Sequence, residues 1–117
     1  MKRDEFKDRT KAFALAVVGL VQSLPRSGAG YLIGRQLLRS GTSVGANYRA
    51  ACRARSRAEF IAKMGIVEEE CDESLYWMEL LEETGQVGPS RLTDLMNEGN
   101  EILSLVVASL KTARSRE

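Results

Sequence analysis

Apolar side chains along this chain recur at steps of three and four residues, the spacing of helices that bury one face. Phe6, Thr10, Phe13, Val17, Leu20 and Leu24 share such a face, which predicts a first helix over about residues 4–24. Pro25 ends it, and a glycine- and serine-containing loop follows. The stripe resumes with Ile33, Leu37, Ser40, Val44, Asn47 or Tyr48, and Ala51, predicting a second helix over about 31–54. Ser56 and Glu59 then have capping-box spacing. Phe60, Met64, Val67, Cys71, Ser74, Met78 and Leu81 follow in strict 4-3 alternation, the seam of a bundle helix over 57–84 that Gly85 stops. Pro89 suits the first turn of a fourth helix, about 90–113, with Leu92, Leu95, Gly99, Ile102, Val106, Ser109 and Ala113 as its seam. Short links between long helices force antiparallel neighbours. The expected fold is all-α, an up-down-up-down antiparallel four-helix bundle in one domain over residues 1–117.

The second helix has a weak centre. Gly41, Ser43 and Gly45, beside the equally small Ala46, sacrifice helix propensity, about 1 kcal/mol for each glycine relative to alanine. Small side chains let another helix approach closely, so Gly41, Ser43 and Gly45 are expected at a tight contact within the chain or between subunits. Tyr76 and Trp77 lie beside the third seam rather than in it, and a subunit interface is their expected use.

Composition narrows the chemistry. The chain has 117 residues, 44% hydrophobic and 28% charged, and no histidine. That absence removes His-based acid–base catalysis, Ser-His-Asp triads, His-ligated zinc and the Glu-x-x-His pairs of di-iron bundles. Cys52 and Cys71 are too few for a disulfide framework and read as small buried hydrophobes. The hairpin of helices 2 and 3 sets them on the order of 20 Å apart, beyond disulfide reach. The longest nearly uncharged stretch, residues 12–24, is short of the roughly 20 residues of a membrane span. The N-terminal residues lack a signal-peptide pattern. A cytoplasmic protein with no membrane association, metal or cofactor is expected.

A net charge of +1 conceals a polarised molecule. Alternating helix directions gather residues 1–11, 49–63 and 111–117 at one end, where thirteen bases meet five acids for a net +8. The remainder holds four bases and eleven acids, a net −7. Folding about residue 55 brings Arg35 and Arg39 beside Glu69, Glu70, Asp72 and Glu73, so inter-helix salt bridges are their expected role. Arg49, Arg53, Arg55 and Arg57 have only Glu59 nearby. With Lys63 they form a candidate phosphate-binding surface, the bland alternative being a solvated helix end.

The stretch IGRQLLRSGTSVGANYRAA and the following RARSRAEFIAKMGIVEEECDESLYWMELLEE closely resemble a bacterial four-helix-bundle family. Its members were first noted as proteins encoded within intervening sequences of 23S ribosomal RNA genes. The chain is also similar to the accessory variability protein of diversity-generating retroelements, a basic bundle that works with a reverse transcriptase and binds nucleic acid. The resemblance implies a ring-like homopentamer without established enzymatic activity, and RNA or DNA binding. It carries over onto Arg35, Arg39, Arg49 and Arg53 through the helix 2 motif and onto Lys63 through FIAKM. Two other readings stay open. One is a protein-binding scaffold, or an accessory subunit of the reverse-transcriptase type that touches no nucleic acid. The other is an enzyme: the carboxylates of Glu69, Glu70, Asp72 and Glu73 with Asp94, Glu98 and Glu101 are faintly similar to those of all-α, magnesium-dependent nucleotide pyrophosphatases. No catalytic residue is assigned; the expectation is a non-enzyme.

Overall fold

The computed structural model describes residues 2–116. The periodic stripes form four helices and, among the described residues, no strand: α1 (Arg3–Gln22), α2 (Gly28–Cys52), α3 (Arg57–Glu83) and α4 (Pro89–Ser115). They lie side by side in a rod of 46 × 20 × 20 Å, of which the 27-residue helices span about 40 Å at 1.5 Å rise per residue. Chain order is spatial order: α1 packs on α2, α2 on α3 and α3 on α4, while α4 touches α1 far less than the sequential pairs touch.

All six residues of the first stripe are buried. In α2 the choice between Asn47 and Tyr48 falls to Tyr48, whose ring stands edge-on to Phe6 at 4.7 Å. In α3 the seam from Met64 to Leu81 is buried, with Phe60 half-buried at its start. The α4 seam is buried at Leu92, Gly99, Ile102 and Val106 with Leu95 only half-buried, and then shifts: Leu110 is buried while Ser109 and Ala113 are half-buried. An alternation of threes and fours drifts against 3.6 residues per turn, so the stripe slips by a residue over several turns.

Helix ends follow cap chemistry. The Ser56 hydroxyl accepts from the Glu59 N–H at 3.1 Å, while the Glu59 carboxylate accepts from the Arg55 N–H. The box therefore closes one residue earlier than the usual reciprocal pattern. After α3, Gly85 takes a left-handed φ of +73°, and the N–H groups of Gly85 and Gln86 bond to the Glu82 and Leu81 carbonyls. This is a Schellman ending, which glycine permits at little cost. The second helix begins at Gly28, three residues before the expected Tyr31. Gly30 is buried there against Pro25 and the Gln86 side chain, so packing stabilises a turn that propensity disfavours. The first helix stops at Gln22, two residues early, with Ser23 as C-cap.

The weak centre of α2 packs against α1 of the same chain. A Cβ on Gly41 would stand 2.9 Å from both Val17 methyls, and one on Gly45 would stand 3.3 Å from Thr10 Oγ1. Ser43 departs from the expectation: it is half-buried, two residues from each glycine and so on the far side of the helix. On the α3 side, the buried hydroxyls of Ser40 and Ser74 lie 2.8 Å apart, with the Leu37 and Glu70 carbonyls as further partners. Among the described residues no buried side-chain polar atom lacks a partner, as a low-dielectric interior demands.

Candidate nucleic-acid interface

One end of the rod collects the start of α1, the α2–α3 turn and the end of α4. The Phe6–Tyr48 contact and a hydrogen bond from Arg57 to the Arg116 carbonyl fix this arrangement. Arg49 sits in the last turn of α2, Arg53 is its C-cap, Arg55 lies in the turn and Arg57 opens α3. All four are exposed, and none makes an ion pair among the described residues. Lys63, two turns into α3, is half-buried and likewise outside any such pair. Glu59, the acid closest in sequence to Arg55 and Arg57, is turned onto the Arg55 backbone N–H. Beside this end, Arg49 joins Lys7 and Lys11 along a groove of about 440 Å³ between α1 and α2 that also carries Asp8. Glu117, counted among the acids of this end, lies outside the described residues.

Tyr48, an aromatic one residue from Arg49, is buried, and burial followed by a hydrogen bond with Cys52 pushes its phenol above the ordinary range. Arg9 does not join the free bases. Its guanidinium bonds to both Glu98 oxygens at 2.7 Å and to Glu101 at 2.9 Å, bracing α1 to α4. Spacing gave no signal for this pair, because its partners lie 89 residues apart.

The Arg9 contact holds the Glu98 carboxyl below the usual range. A carboxylate with a lowered folded-state pKa contributes stability above its unfolded value (about 4.3) and loses it as pH falls through the folded value. Glu98→Gln is therefore expected to cost about 1 kcal/mol at neutral pH, the partial exposure of the pair limiting the effect. Urea denaturation of variant and wild type should converge as pH falls below ~4. A gap that persists in acid would show that packing, not charge, holds these helices.

Toward the other end, Arg39 bonds to Glu70 at 3.0 Å and also to Glu73. Arg35 departs from its expected salt bridge. It donates to the Tyr31 hydroxyl at 3.3 Å, with its guanidinium 5.7 Å from that ring's centroid. The i, i+4 spacing of Tyr31 and Arg35 was a local signal for this contact. Glu69 and Asp72, exposed on α3, take part in none of the ion pairs among the described residues. Trp77 is half-buried and donates its indole N–H to Glu73, while Tyr76 is 53% exposed beside it.

The carboxylates weighed as a magnesium site are divided. Glu70 and Glu73 hold Arg39, and Glu98 and Glu101 hold Arg9. No group of three or more metal-capable side chains converges among the described residues. Cys71 is buried, donates to the Gly99 carbonyl at 3.3 Å, and burial pushes its thiol up to about 12. Cys52 is half-buried and also free. No helix among the described residues is long and apolar enough to cross a membrane.

Fold and site together define a class: a small antiparallel four-helix bundle with arginines gathered at one tip. Residues 3–108 match the 23S rRNA-intervening sequence protein family, and this chain belongs to it. It is similar to a protein of unknown function from the S23 ribosomal protein family of Bacteroides thetaiotaomicron. That crystal structure superposes with a TM-score of 0.88 at 38% identity, over 95% of this chain and 99% of the other. No curated protein matches.

Proposed function

We propose that this is a non-catalytic, cytoplasmic, homo-oligomeric bundle that binds the backbone of RNA or DNA through its arginine-bearing end. The observation that carries the reading is the exposure of Arg49, Arg53, Arg55 and Arg57 without an ion pair among the described residues. Phosphates are the ligands such forks fit. The family resemblance supports a ring of five copies, whose symmetry multiplies the contacts of each subunit. Titration of structured RNA and duplex DNA at two salt concentrations tests it. Log affinity should fall with log salt by about 0.7–0.9 per phosphate contacted. Absent or salt-independent binding would sink the proposal.

Self-association has its own support. Leu15 is 64% exposed on α1, and the sparse α1–α4 contact leaves a cleft of about 450 Å³ walled by Ala12, Ala16, Leu20 and Leu95. Leu15→Glu is expected to shift the light-scattering mass from oligomer toward monomer while helical content stays unchanged. An unaltered oligomer would remove this face from the interface. Exposed Tyr76, edge-on to Trp77 at 5.1 Å, favours a second reading, in which the oligomer is a scaffold for a protein partner.

A further inference from the structure

Where the start of α1, the start of α3 and the end of α4 meet, a cleft of about 430 Å³ opens. Arg3, Arg57 and Arg116 line it, with the half-buried Phe60 ring and the side chains of Ser109 and Thr112. We propose that this cleft takes the terminal phosphomonoester of a nucleic-acid strand, with the terminal base stacked on Phe60. The proposal rests on the nucleic-acid reading above and gives it an end-specific subsite.

Charge is the first argument. Three arginines line one cleft that no acid lines, whereas an internal phosphodiester brings a single negative charge. A monoester carries about −1.5 to −2 near neutral pH and three acceptor oxygens, a closer match to a cleft lined by three arginines. The neighbouring Arg49, Arg53 and Arg55 follow one another along α2 and its turn, an arrangement suited to successive diesters. Geometry is the second. Arg57 donates from Nη1 to the Arg116 carbonyl, tying α3 to the end of α4 and leaving most of its five N–H donors for a ligand. Glu59, the acid closest in sequence to Arg57, is occupied by the Arg55 N–H. Phe60 is the third. It opens the α3 seam yet stays half-buried and lines this cleft, and an aromatic face among arginines is a stacking platform for any base. The volume falls within the roughly 300–1,000 Å³ of small-ligand sites.

The test compares one fluorescent single-stranded RNA carrying a phosphate at its 5′ end, at its 3′ end or at neither, titrated by anisotropy. One added charge-assisted contact predicts about tenfold tighter binding of a phosphorylated form than of the hydroxyl-ended strand. In Arg3→Ala/Arg116→Ala that preference should vanish while the hydroxyl-ended strand still binds. Phe60→Leu, which retains an apolar side chain, should weaken the phosphorylated complex severalfold. Circular dichroism of each variant verifies folding. Equal binding of all three strands by the wild type would overturn the subsite and leave the nucleic-acid reading standing. A preference undiminished in the double variant would place the monoester elsewhere and overturn it too. No binding of any strand would remove the underlying reading as well.

Discussion

Replacing Arg49, Arg53, Arg55 and Arg57 together by alanine is expected to weaken binding of structured RNA on the order of 100-fold at low salt. If each contacts one phosphate, the salt dependence should also flatten by about one unit per arginine removed. The four side chains are exposed, so the core is untouched. Arg49 and Arg53 lie at the C-terminal end of α2, where a cation also favours the helix dipole by about 0.3–1 kcal/mol. Thermal melts should therefore record a small loss that is separable from the binding defect. The control is Arg26→Ala/Arg35→Ala/Arg91→Ala at the opposite end, which removes almost as much charge and should leave RNA affinity close to wild type. Equal affinity of the four-arginine variant and wild type would overturn the interface. Parallel weakening in both variants would mean that net charge, rather than this surface, drives association.

Gly41→Leu is expected to destabilise the fold by about 3 kcal/mol, lowering the melting temperature on the order of 10 °C. A Cβ alone would stand 2.9 Å from two Val17 methyls. Val17 is fully buried, and a β-branched side chain on a helix has essentially one rotamer, so it cannot swing aside. Either α1 moves away or the helices separate locally. Gly19→Ala is the opposite case, since nothing lies within 4 Å of a Cβ built there; it should stabilise by about 1 kcal/mol through helix propensity. Pairing Gly41→Leu with Val17→Ala should recover part of the loss, and the coupling measures the contact. If Gly41→Leu melts like wild type but changes the light-scattering mass, the small stripe serves subunit contact instead.

The positions of α1 and α3 were legible because each is amphipathic by itself. Phe6 through Leu24 and Met64 through Leu81 form unbroken stripes, and burial follows the stripe. The start of α2 was not, because Gly28 and Gly30 argue locally against helix and only Pro25 and Gln86 packing on Gly30 supplies the compensation. At the charged sites, Arg39 could be placed near Glu70 and Glu73 because one hairpin fixes the register of α2 on α3. Arg35, one turn earlier, had two acceptable partners: the α3 acids and its own neighbour Tyr31. The local contact costs less ordering of long side chains. Phe60 read as a core position because it continues the α3 seam. Only at the bundle end, where the surrounding helices stop, is it left half-buried and lining a cleft with Arg3, Arg57 and Arg116.

By itself the sequence determined four helices, their buried faces, their antiparallel order and the sorting of charge along the axis. Each of these follows from the helical period and from loops too short to allow another path. The tertiary structure alone decided which charges remain available. Arg9 is drawn across to Glu98 and Glu101 on α4, Glu59 is turned to backbone, and four arginines at the tip are left without an ion pair among the described residues. Ion pairing acts over a few ångströms across neighbouring helices, so it is set by how α4 closes on α1 and by no spacing within either helix.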